Sequence, residues 1–177
     1  MSCSTALAGL LRDCAQSVGG VKAFWLAPAA DVTSVTISSG EVTAITMASS
    51  KKLMKYAINA ESSSMTSTAT INRAQGTKYV QTDLVAAFAK MSATSRAEVS
   101  AILQDDMVAL VLDNNGTYFL LGAENPAYCS AAAGQTGQAM GDANQFSVTI
   151  TDMSGDVPPT VKTGTGGVDV STIVDIA

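Results

Sequence analysis

The residues of this chain that could carry chemistry are few, and their spacing argues against most of it. Histidine is absent from all 177 positions, which removes the Ser-His-Asp triad, an imidazole general base and most zinc sites. Ser49 and Lys52 have the spacing of a Ser-Lys nucleophile pair, but they lie in a Ser/Lys-rich turn. Gly164, Gly166 and Gly167 resemble a fragment of a phosphate loop, without a following Lys-Ser/Thr or a helical pattern after them. Asp105, Asp106 and Asp113 offer oxygens to a hard cation, yet they lack EF-hand spacing and read as a solvated acidic edge. Cys3, Cys14 and Cys129 are an odd set with no metal spacing. On one helix, Cys3 and Cys14 would stand about 16 Å apart at 1.5 Å per residue and could not bridge. Reduced, buried thiols are the expectation, which fits assembly in a reducing cytoplasm. No catalytic, cofactor or metal constellation survives this reading.

What the chain does have is a charge gradient. Residues 1–100 hold six acids and nine bases, and residues 101–177 hold nine acids and one base. The two parts therefore carry +3 and −8, which together make the net charge of −5. Such sorting sets a field over some surface. The basic cluster Lys51, Lys52 and Lys55 is too small for a nucleic-acid footprint and is suited to pairing with the acidic part of another copy. Charged residues make up 14% of the chain, against a norm of about 25%. A surface so poor in charge and so rich in Ala, Val, Ser, Thr and Gly suits burial against further copies. Residues 1–20 lack the basic start and apolar run of a signal peptide, and no apolar run reaches the roughly 18 residues of a membrane span.

The elements that must position these residues are mainly strands. Residues 4–18 read as a helix with Leu7, Leu10, Leu11, Cys14 and Val18 on one stripe, Ser4 as cap and Gly19-Gly20 as stop. Beyond it the period changes to two. Residues 21–26, 53–58 and 107–113 read as strands, and residues 33–37 and 42–47 as a hairpin. Residues 63–72 alternate, with Thr66, Thr68 and Thr70 on a face expected to be exposed or to meet another subunit. Residues 77–91 mix helix and strand formers, and their β-branched and aromatic content favours a long strand. Ser95 and Glu98 have the spacing of a capping box opening a short helix over 95–104. Asp105 and Asp106 then end that helix against the macrodipole preference. Asn115-Gly116 reads as the centre of a two-residue hairpin loop. Residues 123–144 read as a long loop ordered by function or by a partner, and residues 145–151 as a closing strand. Pro158-Pro159 marks the expected boundary between a domain of residues 1–159 and an apolar C-terminal arm of residues 160–177.

Several stretches carry a family resemblance: Arg12-Asp13-Cys14 with Gly19-Gly20-Val21-Lys22; Gly40-Glu41-Val42-Thr43-Ala44-Ile45-Thr46-Met47; Ser64-Met65-Thr66-Ser67-Thr68 leading to Lys90-Met91; Asp113-Asn114-Asn115-Gly116; and Gly141-Asp142-Ala143-Asn144-Gln145 with Thr149-Ile150-Thr151. On these the chain resembles the major tail tube proteins of phages and prophages, especially of Bacteroidetes-type hosts, over nearly residues 3–159. The arm lies outside the resemblance. The resemblance implies a mainly β fold, an antiparallel β-sandwich or half-barrel with a flanking helix. It implies a structural virion protein whose six-membered rings stack into a hollow tube, built in the host cytoplasm. No cofactor is implied. The implied partners are further copies, terminator, tape-measure and baseplate proteins, and double-stranded DNA passing through unbound, with no membrane.

Duplex DNA carries about one negative charge per 1.7 Å, so a basic lumen would hold it and an acidic one would let it slide. With the charge gradient, that marks Asp105, Asp106, Asp113, Glu124, Asp142 and Asp152 as expected lumen-facing acids. Lys51, Lys52, Lys55, Val168, Val170 and Ile173 are the expected ring contacts. Two other readings stand beside this one. The first is a tail terminator or completion protein of related fold. The second is a secreted β-rich adhesin or pilus-like subunit, for which residues 168–176 are the apolar donor strand.

Overall fold

Five successive residues, Met107, Val108, Ala109, Leu110 and Val111, are all buried. Side chains alternate across a strand, so this run must lie between two layers. A computed structural model of the chain, which describes residues 17–58 and 61–175, shows how. Strand β7 (Met107–Asp113) pairs antiparallel with β1 (Val21–Pro28) and with β8 (Tyr118–Leu121). The same sheet contains β2 (Val32–Ser38), β3 (Glu41–Met47), β4 (Met54–Tyr56) and β11 (Thr160–Val161). Its order is β2-β3-β11-β8-β7-β1-β4. A second sheet has the order β5-β6-β10-β9, from β5 (Ser64–Asn72), β6 (Thr77–Ala89), β9 (Tyr128–Gln135) and β10 (Gln145–Ser154). All pairings are antiparallel except β11 with β3. Two helices complete the described chain, α1 (Ala93–Ile102) and the single turn α2 (Val170–Ile173).

The alternation sorts the core into two clusters. Phe24 and Leu26 of β1, Met107, Ala109 and Val111 of β7 and Leu121 of β8 face the four-stranded sheet. There they meet Leu84, Ala86, Phe88, Val148 and Ile150, and Val99 and Ile102 of α1. Their sequence neighbours Trp25, Ala27, Val108, Leu110 and Leu120 point the other way, onto Val42, Leu53, Val161, Val168, Ile173 and Val174. Fully burying one such side chain contributes roughly 1.5–3 kcal/mol.

Segment 160–175 is therefore not an arm. β11 lies inside the seven-stranded sheet between β3 and β8, and the chain after it covers that sheet's far face. Val168 and Ile173 are buried there, and Val170 is half-buried against the same cluster. These three expected ring contacts are spent on the chain's own core, and so is Val174, the other described apolar residue of the expected donor strand. Apolar content argued correctly that the segment is covered; the strand that receives it was invisible in the order of residues.

Three local expectations also change. Helix α1 starts earlier: the hydroxyl of Ser92 accepts the amide of Ser95, and the Ser92 amide donates to the Ser95 hydroxyl. Glu98 is left to accept the Tyr56 hydroxyl at 3.0 Å, which ties α1 to β4. Burial and this carboxylate push the Tyr56 hydroxyl pKa up to about 12. The β7–β8 turn has three residues, because Asp113 N–H bonds to Thr117 O and Gly116 takes φ +87°. Within the expected loop 123–144, residues 128–135 form β9. Their small side chains have weak strand propensity, and pairing along β10 overrides it. The expected helix 4–18 lies outside the described residues apart from its last two positions, which are not helical.

Two outcomes follow. A chain ending at Pro159 loses the strand between β3 and β8 and the cover over Leu110, so it should show no cooperative thermal transition by circular dichroism. Gly122→Ala places a Cβ 2.7 Å from the Met107 carbonyl oxygen at φ +82°, and should lower stability by about 1–3 kcal/mol in urea melts.

Candidate functional site

The four-stranded sheet has one face on the core, and the register of its strands defines the other. Leu84 pairs with Met65 and with Ile150, and Thr82 pairs with Ser67 and with Asp152. The positions between them point outward: Thr66, Thr68 and Thr70 on β5, Tyr79, Gln81, Asp83 and Val85 on β6, Ser147, Thr149 and Thr151 on β10, Ala131 and Ala133 on β9. Among the described strand residues on this face, Asp83 is the one charge and there is no Lys or Arg. The threonine face expected over 63–72 extends across the whole sheet.

Asp83 is fixed in place. Its Oδ1 accepts the Thr151 hydroxyl at 2.6 Å, and both carboxylate oxygens accept Gln81 Nε2, at 3.2 and 3.0 Å. Thr151 Oγ1 also lies 2.8 Å from the Ser130 hydroxyl. These bonds hold the carboxylate in one orientation on a face otherwise made of uncharged side chains.

Both sides of this sheet end in open strands. β5 and β9 each have one neighbour, and neither SMTSTATIN nor YCSAAAGQ contains a charge or a proline. Monomeric β-proteins usually blunt such edges with charge, proline or a bulge. Here the described protection is one register shift in β9, at Ser130 opposite Thr149 and Ile150.

The expected lumen acids are not on this face. Asp105 and Asp106 are exposed in the turn between α1 and β7. Asp113 sits at the far end of β7, about 20 Å along the strand, where its Oδ1 accepts the amides of Asn115 and Thr117. Asp142 lies in the β9–β10 loop, its Oδ2 accepting the amides of Ala139 and Gln138, both at 2.7 Å. Those two bonds hold its pKa below the ordinary value. Glu124 lies between β8 and β9 and accepts the Gly155 amide. Asp152 points inward and is buried. Three of the six, Asp113, Glu124 and Asp142, close turns or links through backbone amides, so chain order does not translate into a shared surface. The acid that does lie on the face, Asp83, belongs to the basic half of the chain. Period-two alternation through residues 77–89 was the signal that could have found it.

Among the expected basic contacts, Lys51 pairs with Asp31 at 3.3 Å, while Lys52 and Lys55 are exposed. The Ser49–Lys52 turn and Gly164–Gly167 assemble no site: Gly167 N–H bonds to Gly164 O in a tight turn. Cys129 is half-buried and unbridged, and burial raises its thiol pKa. Among the described residues no group of acids and cysteines is placed to hold a metal, and no helix is long and apolar enough to cross a membrane.

Asp152 is the most anomalous group. Its Oδ1 is buried without a hydrogen-bond partner. Desolvation first, then the charge of Glu124, raise its pKa, against the lowering effect of the Gly122 amide. A raised carboxyl pKa means the folded chain holds this proton more tightly than the unfolded one. Its stabilising effect is full below the unfolded value of about 3.9 and is lost as pH rises through the folded value. Asp152→Asn should accordingly gain on the wild type as pH rises from 3.5 to 7.5, read from urea melts across that range. Neither a protein-family model, nor a curated protein sequence, nor a solved structure matches the chain.

Proposed function

We propose that this protein is a structural subunit that polymerises through the edges of its four-stranded sheet into a ring-stacked tube. This is the major tail tube protein of a phage or prophage, with the outer face of that sheet lining a lumen for duplex DNA. The observation that carries the reading is one sheet combining two edge strands without charge or proline with a face that, among the described residues, has no base and a single fixed acid. Edge-to-edge closure removes both open edges at once. A hydroxyl and amide surface with one carboxylate per copy gives DNA phosphates no cation to bind.

Dimensions are compatible. Six copies, the number implied by the resemblance, would join 24 strands. At about 4.8 Å per strand the backbone circumference is about 115 Å, and the diameter about 37 Å before strand tilt widens it. That is wide enough for a hydrated duplex.

Negative-stain microscopy of the concentrated protein should show hollow rings or tubes; a species that stays monomeric at every concentration and with tail-tip initiators present would sink the reading. Asp83→Lys should leave assembly intact and make the tubes retain duplex DNA at low salt, with release at high salt, in a co-sedimentation assay. Wild-type tubes should leave the DNA in the supernatant.

A further inference from the structure

Asn115 is the one asparagine of the chain that is followed by glycine; Asn59, Asn72, Asn114, Asn125 and Asn144 precede Ala, Arg, Asn, Pro and Gln. It stands exposed in the β7–β8 turn, and its carboxamide is engaged at both ends. Oδ1 accepts the Val18 amide at 2.8 Å, while Nδ2 donates to the Val18 carbonyl oxygen at 2.9 Å and to Asp113 Oδ2 at 3.0 Å. Asn114 donates its Nδ2 to the Gly19 carbonyl oxygen at 2.7 Å and its backbone amide to that of Gly20 at 3.2 Å. Two side chains thus reach across 97 and 95 residues to fasten the chain where it enters β1. The Gly116 amide is loosely engaged, 3.3 Å from the Asp113 carbonyl oxygen, which is beyond the usual length of such a bond.

We propose that Asn115-Gly116 is a self-modification site, and that its conversion unfastens the chain at Val18. The Gly116 nitrogen gives its proton to solvent hydroxide and attacks Cγ of Asn115. The new N–C bond forms, the Cγ–Nδ2 bond breaks, and Nδ2 leaves as ammonia with a proton from water. Water then opens the cyclic imide at one carbonyl or the other, to aspartate or to isoaspartate. Overall the chain takes up one water and loses one ammonia. Glycine suits the step because no Cβ crowds its nitrogen. Asn125 cannot follow the same route, since Pro126 has no N–H to give up. Asn114 is disfavoured, because its attacking nitrogen would be that of Asn115, which is held by Asp113 Oδ1 at 2.9 Å.

The product cannot repeat the bonds of the carboxamide. Aspartate at this position puts an oxygen where Nδ2 stood, and a carboxylate only accepts. The Val18 carbonyl oxygen and Asp113 Oδ2 then lose their donor and face a further acceptor. Isoaspartate also lengthens the main chain of the turn by one carbon. Asn114 still holds Gly19, so the release falls at Val18, next to a pair of glycines of which Gly20 already takes φ +99°. The coupling runs both ways. Each bond to Val18 restrains the carboxamide, and conversion proceeds from the local openings in which those bonds are broken. The inference concerns a single copy and does not depend on what the chain assembles into.

The test stores the full chain at mildly alkaline pH and follows it by peptide mapping with mass spectrometry. Conversion should appear first at Asn115 and should quicken as pH rises. Converted chains can be separated from unconverted ones by ion exchange, through the added negative charge. Their Val18 amide hydrogen should exchange at least about tenfold faster by NMR. Asn115→Asp, checked for folding by circular dichroism, should reproduce the exchange of the aspartate fraction. Val18→Pro removes the donor to Oδ1 and should convert several-fold faster than the wild type. Three results would each overturn the proposal. The first is conversion that begins at another asparagine. The second is an Asn115 that stays intact through storage in which the urea-unfolded chain converts fully. The third is a converted fraction whose Val18 exchange is unchanged.

Discussion

The whole arrangement depends on burying β7 and β1 on both faces. A strand whose successive residues are all apolar cannot sit at a surface, so each of its faces needs a layer of its own. The four-stranded sheet with α1 covers one face, and the segment after β11 covers the other. Neither cover is optional. The C-terminal residues are thereby drawn into the core, and the four-stranded sheet is held so that its second face looks outward.

That constraint divides the work between the sheets. The seven-stranded sheet carries both core clusters and most of the large buried side chains. The four-stranded sheet contributes one face to the core and leaves the other to threonine, serine, glutamine and alanine. Its edges are the other consequence. Pairing an eight-residue edge such as β9 with another copy forms about eight ladder bonds at roughly 0.5–1.5 kcal/mol each. Association costs an estimated 4–15 kcal/mol in lost freedom. The terms are comparable, so one edge contact is marginal by itself. In the proposed ring every copy makes two contacts, and closure gains by effective concentration.

Much of the fold was legible along the chain. Strand 107–113 has the same bounds in the structure, the 32–47 hairpin turns where Ser39 and Gly40 take positive φ, and the Thr66, Thr68, Thr70 face of β5 follows from alternation alone. β9 was not legible, because a run of Ala, Ser and Gly carries no periodic signal and becomes a strand by pairing with β10. The start of α1 was misplaced because Ser92 and Ser95 offer a capping box as good as the Ser95–Glu98 spacing, and Glu98 is engaged by a tyrosine 42 residues away. The outer face of the four-stranded sheet was half legible: its threonines follow from alternation, and its one described acid, Asp83, was missed.

The sequence by itself determined what this protein lacks and what it is made of. It has no histidine, a β-rich pattern and a charge gradient along its length. These are properties of composition and of local period, and they need no partner in space. Only the tertiary structure decided where the charges go. Turns take up Asp113 and Asp142, the core takes up Asp152, and Asp83 of the basic half lies on the outer face of the four-stranded sheet. A gradient along the chain does not become one charged surface, because strand order, unlike sequence order, sets which residues share a face.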